Sequence, residues 1–255
     1  MCRLLGYMGP PATLHELLYT PPFGLLRQSW EPREQRHGTV NADGWGVGWY
    51  APGIREAPAR YRTARPMWAD TAFESVAGVV ETSIAVAGVR SATPPAPIEE
   101  SGAPPFVHER VLFAHNGAVA GFGEGVGTKL RRSLSETREG GIEGGSDSEV
   151  LFAMVLDSLD EGLGLAQALR QMADRVLGLT EARLNAVASD GETVIGLACG
   201  DTLYSVERPS EEGVRRFVVS EPFDDDPDWI RVPDRSIVTL DRGSLVSGPF
   251  DATGQ

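Results

Sequence analysis

Cys2 is the residue with the most chemistry to offer. Removal of Met1, expected before a second residue this small, leaves Cys2 with a free α-amine, so that nucleophile and base share one residue. A thiol has an ordinary pKa of about 8.5 and an α-amine one of about 7.7–8.0, so near neutral pH the amine accepts the thiol proton and later returns it to a leaving amine. Taken alone, the same cysteine reads as a small buried member of a first strand.

Three further places carry groups suited to acyl transfer. Arg90 closes the apolar run Ile84 to Val89 and precedes Ser91-Ala92-Thr93. Its guanidinium suits a bidentate pair with a carboxylate, and the Thr93 hydroxyl adds a hydrogen bond. Asn116-Gly117 reads by default as a type I′ hairpin turn. Its alternative is an oxyanion hole, in which the Asn amide and the Gly backbone N–H donate to a developing negative charge. Asp147 follows Ser146 at the start of a helix, where it complements the helix dipole or binds an ammonium group.

Other clusters are weaker. Asp224-Asp225-Asp226-Pro227-Asp228 lacks the glycine and glutamate of a calcium loop and reads as a solvated acidic turn. His15, His37, His108 and His115 show no metal-ligand spacing, so no metal is assigned. Cys199 lies in a strand pattern and belongs to the core. Trp30, Trp45 and Trp49 pack the core or offer aromatic faces to a quaternary ammonium.

Elements that would position these groups follow from pattern. Cys2 to Gly9 suits a strand ending at Pro10-Pro11, and Thr13 with Glu16 forms a capping box for a helix carrying Leu14, Leu17 and Leu18. Residues 20–42 read as irregular. Trp45 to Tyr50 alternates bulky residues with glycine, so one face of that strand is bare and something packs closely on it. Residues 70–80 read as a helix, 84–89 as a buried strand, 94–105 as a Pro-rich loop and 111–114 as a strand ending at His115-Asn116-Gly117. The Gly-rich, charged stretch 121–145 reads as mobile. Ser146 with Glu149 is a second capping box, opening a helix over 149–159, and a second amphipathic helix spans 163–179. Strands follow over 184–189, 193–199, 202–206 and 215–219, with Asp190-Gly191 as a hairpin turn. Strands, a helix pair and more strands predict an antiparallel α+β layer architecture, with no internal repeat and no domain boundary.

Composition limits the partners. The chain has 255 residues, 41% of them hydrophobic, enough for a real core, and its 30 glycines and 18 prolines stay below a low-complexity share. A net charge of −13 makes nucleic acid and anionic membranes poor partners. The N-terminus lacks a signal-peptide pattern and no apolar run approaches about 18 residues, so the expected location is cytoplasmic. Two cysteines are too few for a disulfide framework.

Cys2, Arg90, His115-Asn116-Gly117 and Ser146-Asp147-Ser148-Glu149, in this order, resemble the glutaminase domain of class II glutamine amidotransferases, which are N-terminal-nucleophile hydrolases. The likeness spans nearly the whole chain, as one domain over 2–250 with a tail over 251–255. The stretch from Leu26-Arg27-Gln28-Ser29-Trp30 through Gln35 to Tyr50, and Ser220-Glu221-Pro222 with the acidic turn, look more narrowly like the γ-glutamyl amidases of ergothioneine biosynthesis. The resemblance implies a four-layer αββα sandwich with two antiparallel sheets. It implies Cys2 as nucleophile and Asn116 with Gly117 as oxyanion hole. Arg90 and Thr93 would hold a γ-glutamyl α-carboxylate and Asp147 its ammonium, with His37, Asp43, Trp45 and His115 as further substrate-binding candidates. Ser91 and Pro94 stand where several synthase-type relatives have an aromatic residue and a histidine, which leaves the carboxylate end of the pocket open to differ. A small-molecule γ-glutamyl substrate and no cofactor are expected. The leaving amine is then the product itself, or ammonia passes to a separate subunit; a third reading is a non-catalytic binding protein on an amidotransferase-like scaffold.

Overall fold

The computed structural model describes residues 2–93 and 97–250. Its strands are β1 (Arg3–Thr13), β2 (Trp45–Trp49), β3 (Ala59–Thr63), β4 (Glu81–Val89), β5 (Phe106–His108), β6 (Val111–Val119) and β7 (Ala182–Ser189). They continue with β8 (Val194–Ala198), β9 (Tyr204–Ser210), β10 (Gly213–Val219), β11 (Ile230–Arg231), β12 (Ser236–Leu240) and β13 (Leu245–Pro249). The helices are α1 (Leu14–Leu18), α2 (Leu25–Gln28), α3 (Thr71–Ala77), α4 (Val126–Arg132), α5 (Glu136–Gly140), α6 (Asp147–Asp160) and α7 (Leu165–Leu177).

Two sheets form, both antiparallel. The first runs β11-β9-β10-β1-β4-β2-β3 and the second β13-β12-β8-β7-β6-β5. Each sheet buries both faces, so its central strands are apolar on both sides. Leu4, Val86, Leu112, Val187, Val194 and Val218 fill the space between the sheets. The far face of the first sheet packs on α1, α2 and α3 through Leu14, Leu18, Leu25 and Phe73, and the far face of the second on α6 and α7 through Val150, Leu151, Leu169 and Met172. The result is the expected αββα order of layers.

Glycines set how closely the sheets approach. A β-carbon on Gly48 would lie 2.3 Å from a Leu112 methyl and one on Gly46 2.4 Å from the Pro104 carbonyl oxygen, so the bare face of β2 is where the opposite layer presses in.

Several boundaries differ from those expected. The first strand does not stop at Pro10-Pro11 but continues to Thr13, with a register shift against β4 between Met8 and Ala12. The prolines, which have no N–H for a ladder, sit in that gap. The strand carrying Asn116-Gly117 does not turn there. It runs on to Val119 and pairs Asn116 with Asn185, which excludes the hairpin reading. Residues 121–145, expected to be mobile, fold instead into a 3-10 turn over Phe122–Glu124, α4 and α5. Helix α6 begins at Asp147 rather than at residue 149, with both halves of the Ser146–Glu149 capping box formed. Residues 20–42 include the short α2, and β3 supplies an edge strand that no pattern announced. Met1, Pro94 and the tail 251–255 lie outside the described residues. Among the described residues no helix is long and apolar enough to cross a membrane.

Candidate active site

Register brings the candidate residues together. In the first sheet Arg3 pairs with Val89 on β4, and Trp45 pairs with Val89 from the other side. The start of β1, the end of β4 and the start of β2 therefore meet at one sheet end, which places Cys2 beside Arg90 and Asp43. From the second sheet Asn116 reaches across, and its Oδ1 accepts from the Cys2 backbone nitrogen at 2.7 Å. The Cys2 thiol, half-buried, points to the Ser91 carbonyl oxygen at 4.0 Å.

Asn116 is fully buried, and its Nδ2 has no hydrogen-bond partner among the described residues. A buried amide donor left free costs roughly 1–3 kcal/mol, so its persistence beside the thiol marks it as aimed at something that arrives. Gly117 is required sterically, because a β-carbon there would lie 1.8 Å from the Arg183 carbonyl oxygen. Cys2, Gly117, Arg90, Thr93, His115 and Asp147 all line one cavity of about 810 Å³.

Two charges in that cavity lack ion-pair partners among the described residues. The Arg90 side chain is buried and held by neutral groups: the Pro97 carbonyl oxygen accepts from both terminal nitrogens at 3.1 Å, and that of Asp43 from Nη1 at 3.4 Å. Gly102 makes room for it, since a β-carbon there would sit 2.7 Å from Nη2. No carboxylate of the described residues pairs with Arg90. Asp147, at the first turn of α6, accepts from Val119 N at 3.1 Å and from Ser148 N at 2.8 Å, and it too has no ion-pair partner among the described residues. A buried guanidinium without an anion, and a carboxylate without a cation, suit the carboxylate and ammonium of one α-amino acid.

His115 sits behind Asp147. The Arg183 carbonyl can only accept, so Nε2 at 3.2 Å carries the hydrogen, and Nδ1 accepts from Ser148 Oγ at 2.9 Å. Burial pushes its pKa below the ordinary histidine value, which keeps the ring neutral. His115 thus braces Ser148, whose own N–H holds Asp147.

The other candidates fall in different places. Asp43 acts through the backbone: its Oδ2 accepts from Ala92 N at 2.8 Å, and its N–H donates to the Arg90 carbonyl at 2.9 Å. Trp45 does not reach the cavity. It is fully buried against Tyr61 and Phe73, with its Nε1 donating to Asp70, and it is a core residue in this structure. His37 stands exposed on the 35–41 loop, outside the lining of this cavity. Thr93 is exposed at its rim.

Sequence patterns missed the groups beneath the nucleophile. Arg3 donates from Nε to the Cys2 carbonyl at 2.8 Å and from Nη1 to Glu221 at 3.4 Å, both side chains wholly buried. Glu221 also accepts from the backbone nitrogens of Arg33 and Glu34, each at 2.9 Å. The available signal was a charged residue inside an otherwise apolar strand, which demands a buried counter-charge.

The family of glutamine amidotransferases class-II matches residues 1–213. The chain is 39% identical over 251 residues to a γ-glutamyl-hercynylcysteine sulfoxide hydrolase of Mycobacterium tuberculosis, covering 98% of this chain and 97% of that one. It is 37% identical over 250 residues to the enzyme of that name from Mycolicibacterium smegmatis, covering 98% and 100%. Among solved structures, the glutamine aminotransferase class-II domain protein of Silicibacter pomeroyi superposes with a TM-score of 0.68 at 25% identity, covering 98% of this chain and 99% of that one. Glutamine phosphoribosylpyrophosphate amidotransferase of B. subtilis shares the fold at a TM-score of 0.68 and 16% identity, over 99% of this chain and 50% of that one. With its thiol and two charges that lack ion-pair partners among the described residues in one cavity, with the Asn116 amide held against the Cys2 nitrogen, and with a family match over most of its length, this chain belongs to the class II glutamine amidotransferases.

Proposed function

We propose that the protein hydrolyses the γ-glutamyl amide of γ-glutamyl-hercynylcysteine sulfoxide, releasing hercynylcysteine sulfoxide and glutamate. The observation that carries this reading is the contact of the Cys2 nitrogen with Asn116 Oδ1 at 2.7 Å, while Asn116 Nδ2 stays free. One side chain orients the base and offers a donor to the oxyanion. The names of the relatives support the choice of leaving group, and a cavity of about 810 Å³ exceeds what a glutamyl group alone occupies.

With Met1 removed, the Cys2 α-amine takes the thiol proton and the thiolate attacks the γ-carbonyl carbon. Negative charge develops on the carbonyl oxygen, facing Asn116 Nδ2 and the Gly117 N–H. The C–N bond breaks as the α-ammonium protonates the leaving nitrogen, giving a γ-glutamyl thioester. Water, deprotonated by the same amine, attacks the thioester; the C–S bond breaks, and the thiol leaves with the proton. Throughout, Arg90 and Thr93 hold the α-carboxylate and Asp147 the α-ammonium, fixing the carbonyl against the thiol.

The test is glutamate release, followed by mass spectrometry, from the conjugate and from glutamine. Protein whose mature N-terminus is confirmed as Cys2 is compared with Cys2→Ala. Release from the conjugate, abolished in the variant, is expected. Turnover of glutamine alone would instead fit a subunit that supplies ammonia.

A further inference from the structure

A second cavity, of about 450 Å³, lies between Arg36 on the 35–41 loop and the segments 200–201 and 231–234. Two packing contacts run from its neighbouring segments towards the reacting centre. A β-carbon on Gly38 would lie 3.8 Å from Ser91 Oγ, so the tip of the loop comes within one side-chain carbon of the residue whose carbonyl faces the Cys2 thiol. On the other side Gly200 packs against Arg183, a β-carbon there lying 2.8 Å from Arg183 Cγ, and the Arg183 carbonyl is the group pressed against Gly117.

The charges of this cavity are left unbalanced in a particular way. Asp234 is used locally, its Oδ1 accepting from Gly200 N at 2.7 Å, and Asp201 has Arg183 Nε at 3.8 Å. Arg36 and Arg231 have no carboxylate within ion-pair distance among the described residues. Asp201 is buried, and neither of its carboxylate oxygens has a hydrogen-bond partner among the described residues. Burial pushes its carboxyl above the ordinary range, which a nearby cation would reverse.

We propose that this cavity is the subsite for the far end of the leaving amine, with Arg36 and Arg231 binding its carboxylate. The proposal rests on the hydrolase reading above, since that leaving group ends in a betaine, a carboxylate beside a trimethylammonium. Two guanidiniums with free donors match the carboxylate. The trimethylammonium has no N–H to give, so it is balanced by the field of a carboxylate that makes no hydrogen bond, and Asp201 is such a group. The loop carrying Arg36 is well fastened on both sides. Glu34 N is held by Glu221, and Asn41 donates from Nδ2 to Gln28 O at 2.8 Å and to Gln35 Oε1 at 2.9 Å. Arg36 is therefore presented by a short exposed arch of fixed ends.

The experiment compares kcat/KM on γ-glutamyl-hercynylcysteine sulfoxide and on γ-glutamyl-S-methylcysteine sulfoxide, which keeps the scissile amide and the sulfoxide but lacks the betaine. Wild type should prefer the full conjugate. Arg36→Ala and Arg231→Ala should each lower the ratio of the two values about tenfold, through KM, as expected for losing a charge-assisted hydrogen bond. Equal wild-type values on the two substrates, or a double variant that leaves the ratio unchanged, would overturn the proposal. Calorimetric binding of N-α-trimethylhistidine to the Cys2→Ala protein gives a readout without turnover: saturable binding lost in the double variant is expected, and no binding overturns it. If wild type cleaves neither substrate, the hydrolase reading fails, and the binding measurement decides this inference alone.

Discussion

At the γ-glutamyl end of the site, each group is held by regular structure: Asn116 by the middle of β6, Arg90 by the end of β4, Asp147 by the first turn of α6. At the opposite end, Arg36 hangs from an exposed loop that owes its place to Glu221 and Asn41. In the proposed reading the first arrangement recognises what every γ-glutamyl amide shares, and strands whose register is fixed by two buried faces suit a constant task. In the proposed subsite the second faces the part of the substrate that differs between members of a family, where a loop is free to change without disturbing the core. Chemistry and selectivity are thereby assigned to parts of different rigidity, joined through the Arg3–Glu221 pair.

Breaking that joint should give the largest effect on the fold. Burial lowers the Arg3 pKa while Glu221 opposes the shift, so the pair holds a charge in a place hostile to it. Glu221→Ala leaves the guanidinium without its counter-charge and frees two backbone N–H groups, and the expected loss is about 3–5 kcal/mol in denaturant unfolding. Arg36→Ala, at the tip of the same loop, should change stability by less than about 0.5 kcal/mol. Comparable losses in the two variants would mean that the loop, not the buried pair, carries the energy.

Next in size is the loss of the oxyanion donor. Asn116→Ala removes the free Nδ2 together with the acceptor that orients the Cys2 nitrogen. The drop in kcat should reach about 10²–10³, or about 2.7–4 kcal/mol, and it should be the same for substrates with and without a betaine. A kcat loss that depends on the leaving group would join the two ends of the site that the structure keeps apart.

Much of the γ-glutamyl end was legible because its residues sit at places that leave local marks: a strand end at Arg90, a capping box before Asp147, a cysteine beside the N-terminus. The bare face of β2 was legible too, since glycine alternation reports close packing whatever the partner. Asn116-Gly117 was ambiguous because a dipeptide favouring positive φ also fits mid-strand, where Arg183 leaves no room for a β-carbon. Trp45 misled because an aromatic residue in a site-like motif looks the same from either face of its strand, and the pleat turned it into the core beside Phe73. The roles of Ser148 and Glu221 were hidden, for they act across 33 and 218 residues of sequence, on His115 and Arg3.

The two capping boxes give the smallest and most local test. Thr13 and Ser146 are both N-caps whose side chains accept from a glutamate N–H three residues on, and both boxes are reciprocal. The Thr13 box is exposed and opens a five-residue helix against the first sheet. The Ser146 box is buried, and its Glu149 also accepts from Gly144 N at 2.7 Å, which ties the segment before the helix to the helix that carries Asp147. Thr13→Ala and Ser146→Ala should each cost about 1 kcal/mol of stability, the ordinary value of a lost N-cap. Only Ser146→Ala should also raise KM for γ-glutamyl substrates, because the first turn that aims Asp147 loses its fixed start. An unchanged KM in Ser146→Ala would show that the contacts of Asp147 with Val119 N and Ser148 N hold the carboxylate in place without the cap.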